Sequence, residues 1–279
     1  MLKKVLVLLV LFMTAICIFG IYSKFTDSRP QSQFGDKGEQ IKKSSQLPPE
    51  KDKPLHPVIV EINQRNAELK SFACEDIDIK VWQAGHRFRL NGRLHYQKPR
   101  NFHMEISSIL GKEAKVGSND NAFWYWSKRD RNPGLYWANH DDFQKTRLKT
   151  PFNPMLLKSS LGQEILQKEN ARIVENPKDI MVVYPQQSAT GNPILLSVFI
   201  NKDRKQIDGF VVTDMNGKYL AACEIQERTG NLPKAVLYTW YEEDRVMLMR
   251  FNNPQANVGV SQSHFVMPNI SPKINMGEQ

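Results

Sequence analysis

Cysteine is scarce: three residues in 279, at Cys17, Cys74 and Cys223, with no Cys-x-x-Cys pair among them. That excludes the paired-cysteine redox and metal motifs. The chain also has no Gly-x-Ser-x-Gly elbow, no His-Glu-x-x-His helix and no P-loop. The commonest hydrolytic, zinc-protease and nucleotide-binding chemistries therefore have no seat in it. No Lys/Arg-rich helix or nucleic-acid module is present, so a nucleic-acid partner is not expected. Charge of one sign is modest as well. The net charge is +9, and residues 1–55 alone hold nine Lys/Arg against five Asp/Glu. The rest of the chain carries a surplus of only five. A balance of that size favours solubility and anionic surfaces and specifies no partner. Nothing points to an enzyme or to a cofactor.

A long hydrophobic run occurs once. Lys3 and Lys4 precede an unbroken apolar stretch from Val5 to Ile21. It is long for a secretory h-region and short for a spanning helix. Three readings of residues 1–21 are open: an uncleaved membrane anchor, a signal cleaved after Cys17 or Gly20, or a lipoprotein signal acylated at Cys17. The bulky Ile16 weighs against the last. All three export the rest of the chain. Cys74 and Cys223 then lie where a disulfide is chemically allowed; the alternative is two small buried hydrophobes.

Residues 22–55 are poor in aliphatics and rich in Ser, Gln, Lys, Asp and Pro. They read as a flexible tether of roughly 30 residues. From His56 onward the pattern is that of a folded domain, expected over 56–270 and followed by a short tail, 271–279. Val58 to Phe72 has helical spacing, with Ile59, Ile62 and Leu69 on one side. After it the apolar period changes to two. In His86 to Tyr96, Phe88, Leu90, Leu94 and Tyr96 share one face, and Arg87, Arg89, Arg93 and His95 share the other. Phe102, Met104 and Ile106 resume the apolar face beyond the Lys98-Pro99-Arg100 turn. Asn216-Gly217 sits between two strand-like runs, a strong hairpin signal. Further strands are expected at 113–117, 121–128, 134–138, 171–176, 180–185, 194–201, 232–241, 246–251 and 263–267. The total is roughly 11–12 strands in an antiparallel meander with one wet face. A helix over 151–166 interrupts them, with Asn153 as N-cap, Pro154 in its first turn and Leu157, Leu161 and Ile165 as its apolar stripe. The fold class is mainly β with α: a curved sheet whose concave face is covered by helices.

Aromatics are concentrated in one place. On a strand, Phe123 and Tyr125 point one way and Trp124 and Trp126 the other. Both faces of that strand carry large apolar area, so each must be covered or meet a ligand. Tyr136 and Trp137 add to the same wall, and Met247 and Met249 offer adaptable surface farther along. Two readings follow: a filled core, or an apolar cavity between sheet and helices. Arg87, Arg89 and Arg93 form a basic stripe opposite Asp76 and Asp78, which reads as cross-strand ion pairing or as a patch for anionic headgroups or a partner. His95 and His103 flank a turn and read as cross-strand neighbours on the solvated face. His140-Asp141-Asp142 reads as the start of a short helix or as a metal ligand set.

The leading helix, the pair "HRFRLNGRLHYQKPRNFHMEISSILG" (86–111), "VGSNDNAFWYWSK" (116–128), "GLYWANHDDF" (134–143) and "PFNPMLLKSSLG" (151–162) together resemble the LolA/LolB-type lipoprotein-carrier superfamily. The resemblance covers about residues 58–268 as architecture. It implies an incomplete antiparallel β-barrel whose hydrophobic cavity lies under helical lids. It also implies binding of lipid or lipoprotein acyl chains, as carrier or acceptor, by a monomer in the cell envelope. The alternative function is a structural envelope protein with a packed barrel that works through protein–protein contacts.

Overall fold

A computed structural model describes residues 28–35, 37–48, 54–128, 132–146, 157–188 and 190–278. The apolar leader 1–21 lies outside the described residues, and among those described no helix is long and apolar enough to cross a membrane.

The helices are α1 (Gly38–Ser45), α2 (Pro57–Glu68) and α3 (Leu157–Ser160). The strands are β1 (Ser71–Gln83), β2 (His86–Gln97), β3 (Asn101–Ser108), β4 (Gly111–Ser118), β5 (Ala122–Ser127), β6 (Leu135–Asn139), β7 (Arg172–Glu175), β8 (Asp179–Gln187), β9 (Pro193–Asn201), β10 (Gln206–Asp214), β11 (Tyr219–Thr229), β12 (Leu232–Trp240), β13 (Arg245–Asn252), β14 (Gln255–Ala256) and β15 (Lys273–Asn275). They form one sheet in the order β15-β6-β5-β4-β3-β2-β1-β13-β12-β11-β10-β9-β8-β7, with β14 beside β1. Only β15 runs parallel to its neighbour, β6. The two halves, β1–β6 and β7–β13, are meanders joined where β13 pairs with β1.

The sheet is not closed: its path ends at β15 and at β7. A flat sheet of that many strands would be about 60 Å wide at ~4.8 Å per strand. The 12-residue α2 is about 18 Å long at 1.5 Å per residue. One such helix cannot cover a flat sheet. Yet residues of one face are buried from Tyr136 on β6 to Ile180 on β8, in a single core that also holds Ile59 and Ile62 of α2. The sheet therefore bends around its own inner face. This is the curved sheet with helices on its concave side that the patterning predicts, and the incomplete β-barrel that the resemblance implies.

Five expectations are corrected. The segment 22–55, read as tether, contains α1, and Ile41 and Phe34 bury themselves on the outer face with Met181, Leu195, Phe199 and Val211. The leading helix stops at Glu68 because Leu69 is already extended and Ser71 enters the ladder opposite Gln97. The run 263–267 is a 3-10 turn, Gln262–Phe265, started by Ser261, whose hydroxyl accepts the Ser263 N–H. The expected tail is part of the fold over its described residues, 271–278: β15 pairs with β6 and Met276 enters the core. Among the described residues the strands number fifteen, above the 11–12 expected, and two of the additional ones are the short β14 and β15.

Candidate functional site

The aromatic wall divides between the two faces of the sheet. Phe123, Tyr125 and Tyr136 lie on the inner face, buried with Leu161 and Met249 in the main core. Met247 is half-buried against the same core. The Tyr125 and Tyr136 rings stack at 5.0 Å between centroids. Trp124 pairs with Gly117 on one side and Trp137 on the other, so these two tryptophans share the opposite, outer face. Trp126 lies on that face as well; it and Trp137 are half-buried, whereas Trp124 is buried. A Cβ on Gly117 would come within 2.6 Å of the Trp124 indole, so glycine lets the ring lie flat over β4. The tryptophans and the tyrosines thus belong to different surfaces, and one cavity cannot be lined by both.

The inner face is closed by α2, by α3 and by the segment after it. Of the helix expected over 151–166, residues 151–156 and the Leu157 side chain lie outside the described part, and among the described residues it is the single turn α3. The helix ends there because Gly162 adopts φ +67 and its N–H turns back to the Ser159 carbonyl at 3.0 Å. A Cβ at Gly162 would also meet Ile225 and Arg228 at 2.7 Å. As a result the expected stripe is broken. Leu161 is 1% exposed and points into the core, whereas Ile165 is 41% exposed.

What fastens this cover is mostly polar. Asn63 donates to the Leu166 carbonyl at 2.8 Å and accepts the Leu166 N–H at 2.8 Å. Asn66 donates to the carbonyls of Glu164 at 2.9 Å and Gly162 at 3.2 Å. The Tyr184 hydroxyl donates to the Gln167 carbonyl at 2.9 Å. Beneath the cover, Tyr238 contacts Ser160 of α3 and Cys223 of β11, and burial pushes the Tyr238 phenol and the Cys223 thiol well above their ordinary pKa values. Arg228 donates to the Ile207 and Asn231 carbonyls, and burial lowers its pKa to about 10, so it stays charged at neutral pH.

Cys74 and Cys223 are both buried free thiols. They sit on β1 and β11, with β13 and β12 between them. Three ladder steps span about 14 Å, too far for a disulfide, which needs Cα atoms within about 7 Å.

The described chain is similar to several solved structures. A DUF1329 family protein from Desulfovibrio piger is 11% identical, with 75% of this chain and 94% of that one covered at TM-score 0.48. An outer membrane lipoprotein-sorting protein domain, so described putatively, from Vibrio parahaemolyticus is 12% identical over 74% and 94% at 0.48. A LolA superfamily protein from Nitrosomonas europaea is 8% identical over 75% and 96% at 0.47. No family model matches the chain, and no curated protein does. At such identities the likeness concerns chain course and carries no site residue onto this chain.

On the outer face, Arg89 pairs with Asp78 at 2.9 Å, Arg93 with Glu105 at 3.2 Å, and Arg87 lies over the Trp82 ring at 5.5 Å. Of the pairing expected with Asp76 and Asp78, Arg89–Asp78 is observed, whereas Arg93 turns to β3, Arg87 to an aromatic ring, and Asp76 accepts from Asn252. Glu105 also takes Lys112 and Lys115, and although its burial works the other way, these cations hold its carboxyl below the usual range. His95 and His103 are opposite each other on β2 and β3, as expected, but they are buried rather than solvated. His264 covers them from the 3-10 turn, its ring stacked 4.0 Å from that of His95. Sequence reading missed His264, which lies far along the chain with no local signal. His140 opens a short 3-10 helix, and its Nε2 lies 2.9 Å from the Asn119 carbonyl.

Proposed function

We propose that the protein is an exported, non-enzymatic envelope protein that seats an acyl chain on the inner face of its open sheet, beneath α2 and the 157–171 segment. Leu161, Phe123, Tyr125, Tyr136, Met247 and Met249 line the seat. The outer-face Trp124, Trp126 and Trp137 and the solvent-facing Ile165 take no part in it. The observation that carries this reading is the way the two parts of the cover are held to each other. Side-chain amide bonds from Asn63 and Asn66 of α2 to the 162–166 backbone close the gap between them. Each such bond contributes about 1 kcal/mol net, because water replaces it when it opens. An acyl chain gains about 0.8 kcal/mol per methylene buried. Roughly five methylenes therefore offset those four bonds, and further methylenes replace the contacts of Leu161 and Leu166 in kind. The apolar leader tethers the monomer to a membrane or is cleaved after export, and the cargo is lipid or lipoprotein.

A second reading, a filled barrel that acts through protein contacts, draws on the burial of Leu161 and Leu166, both 1% exposed. Native mass spectrometry of residues 28–279 separates the two by asking whether lipid co-purifies. Leu161→Asp is expected to weaken binding of a fluorescent fatty acid tenfold or more, because a carboxylate left in an apolar seat costs several kcal/mol. Leu161→Met, which keeps the volume, is expected to bind as wild type. A wild-type domain that carries no lipid and takes up no probe leaves only the second reading.

A further inference from the structure

Three of the six histidines meet on the outer face, away from the acyl seat. One ring nitrogen from each of His95, His103 and His264 lies within 4.8 Å of the others. His95 and His103 face each other across β2 and β3, and the two residues are 3% and 7% exposed. Glu75 accepts from His95 Nε2 at 2.5 Å, which leaves Nδ1 as the ring's lone-pair nitrogen. His95 Nδ1 and His103 Nδ1 are both buried, and neither has a hydrogen-bond partner among the described residues. Two buried ring nitrogens without partners are costly to keep in a native fold. A bound cation satisfies both at once.

We propose that His95, His103 and His264 form a three-imidazole site for a borderline divalent transition-metal ion of the Zn2+ type, which clasps the C-terminal segment onto the outer face of the sheet. Imidazole suits such ions, and three protein ligands with an open fourth position make a recognised coordination set. With metal–nitrogen bonds of about 2.05 Å, tetrahedral ligands stand about 3.4 Å apart. The trio is already close to that spacing. His264 has to turn out of its stack, since imidazole lone pairs lie in the ring plane. Its ring torsion is a soft, broad one, and the short turn that carries it is the least buried of the three supports. Glu75 then serves as the carboxylate that fixes the His95 tautomer from outside the metal shell. The nearby cations Arg93 and Lys115 are taken up by Glu105.

The position of His264 gives the ion a structural consequence. The same segment is tied to the sheet by Gln262 to Gln97 at 2.8 Å and by Asn119 to the Phe265 carbonyl at 3.3 Å. Beyond it come β15 and the core residue Met276. A metal bound here joins residues 161 positions apart in sequence from His103 to His264 and fixes the strap that completes the β6 edge.

The test is isothermal titration of the full chain, purified in detergent without a histidine tag and stripped with chelator, using Zn2+ and then Co2+. One equivalent of Zn2+ is expected to bind at micromolar concentration or tighter, to raise Tm, and to give tetrahedral d–d bands with Co2+. His264→Ala, on the exposed strap, is expected to keep the far-UV circular dichroism of the wild type and to lose binding about a hundredfold. Glu75→Gln is expected to weaken it by about 10–100-fold, and His86→Ala, at a distant exposed ring, to change nothing. Absence of stoichiometric uptake by the wild type, or uptake unchanged in His264→Ala, overturns the proposal. Neither result bears on the acyl seat, which lies on the opposite face.

Discussion

Glu224 is a carboxyl buried on the outer face of β11, where the segment before α1 crosses it. Its Oε2 accepts the Gln33 N–H at 2.7 Å, yet burial dominates and raises its pKa above the ordinary 4.5. Between 4.5 and that raised value the folded chain holds a proton that the unfolded chain has released. Stability therefore falls as pH rises through this window and stays lower above it. Glu224→Gln removes the charge and keeps an acceptor for Gln33. It is expected to raise Tm at pH 7, and the gain should shrink toward zero as pH falls below 4.5; a Tm difference that is flat with pH would refute the assignment. At this scale the sequence was legible in part. Period-two alternation put Phe123 and Tyr125 on one face and Trp124 and Trp126 on the other. It could not say what buries Phe123 and Tyr125, because their cover comes from α2 and the 157–171 segment, remote in the chain. For the same reason His95 and His103 read as solvated: the ring that buries them is contributed by His264.

Among the elements, α1 departs most from its local sequence. Its eight residues, GEQIKKSS, have weak helical drive and a single large apolar residue. An isolated helix so short does not persist in water. Ile41, fully buried, and Phe34, stacked at 4.7 Å on Phe199, supply the missing stabilisation through tertiary contact. Lys37 adds an ion pair to Asp179 at 2.8 Å, and α1 thereby covers the β8–β11 part of the outer face. Ile41→Asp is expected to release residues 28–48 to limited proteolysis while the strand signal in circular dichroism persists. Simultaneous loss of both would mean that α1 is integral to the cooperative unit and not a docked segment. The central helix shows the converse. Leu157, Leu161 and Ile165 have correct helical spacing, but Gly162 in a left-handed conformation interrupts the repeat, and spacing alone does not reveal a backbone reversal. The strands, where alternation is long and turn residues are plain, fell where the sequence placed them to within a few residues.

For the molecule as a whole, the question is whether the cover over the inner face opens separately from the sheet. Order within the sheet, which alternation cannot encode, puts Cys74 and Cys223 on the same face but on strands three steps apart. Cys223 is joined to the α3 part of the cover through Tyr238 and Ser160. Cys74 instead contacts the Asp76 and Asn252 carbonyls between β1 and β13, within the sheet itself. Both thiols are buried and their pKa values raised, so labelling by a small thiol reagent requires an opening that admits water. If the cover lifts to admit an acyl chain, Cys223 is exposed in a local event whose rate depends weakly on denaturant, since little surface is uncovered. Cys74 must then await global unfolding, with the full denaturant dependence. In a Cys17→Ser background, Cys223 is expected to react well ahead of Cys74 at low guanidinium, and the two rates should converge near the unfolding midpoint. Rates that coincide at every denaturant concentration would mean that cover and sheet open as one body, and the acyl seat would have no door.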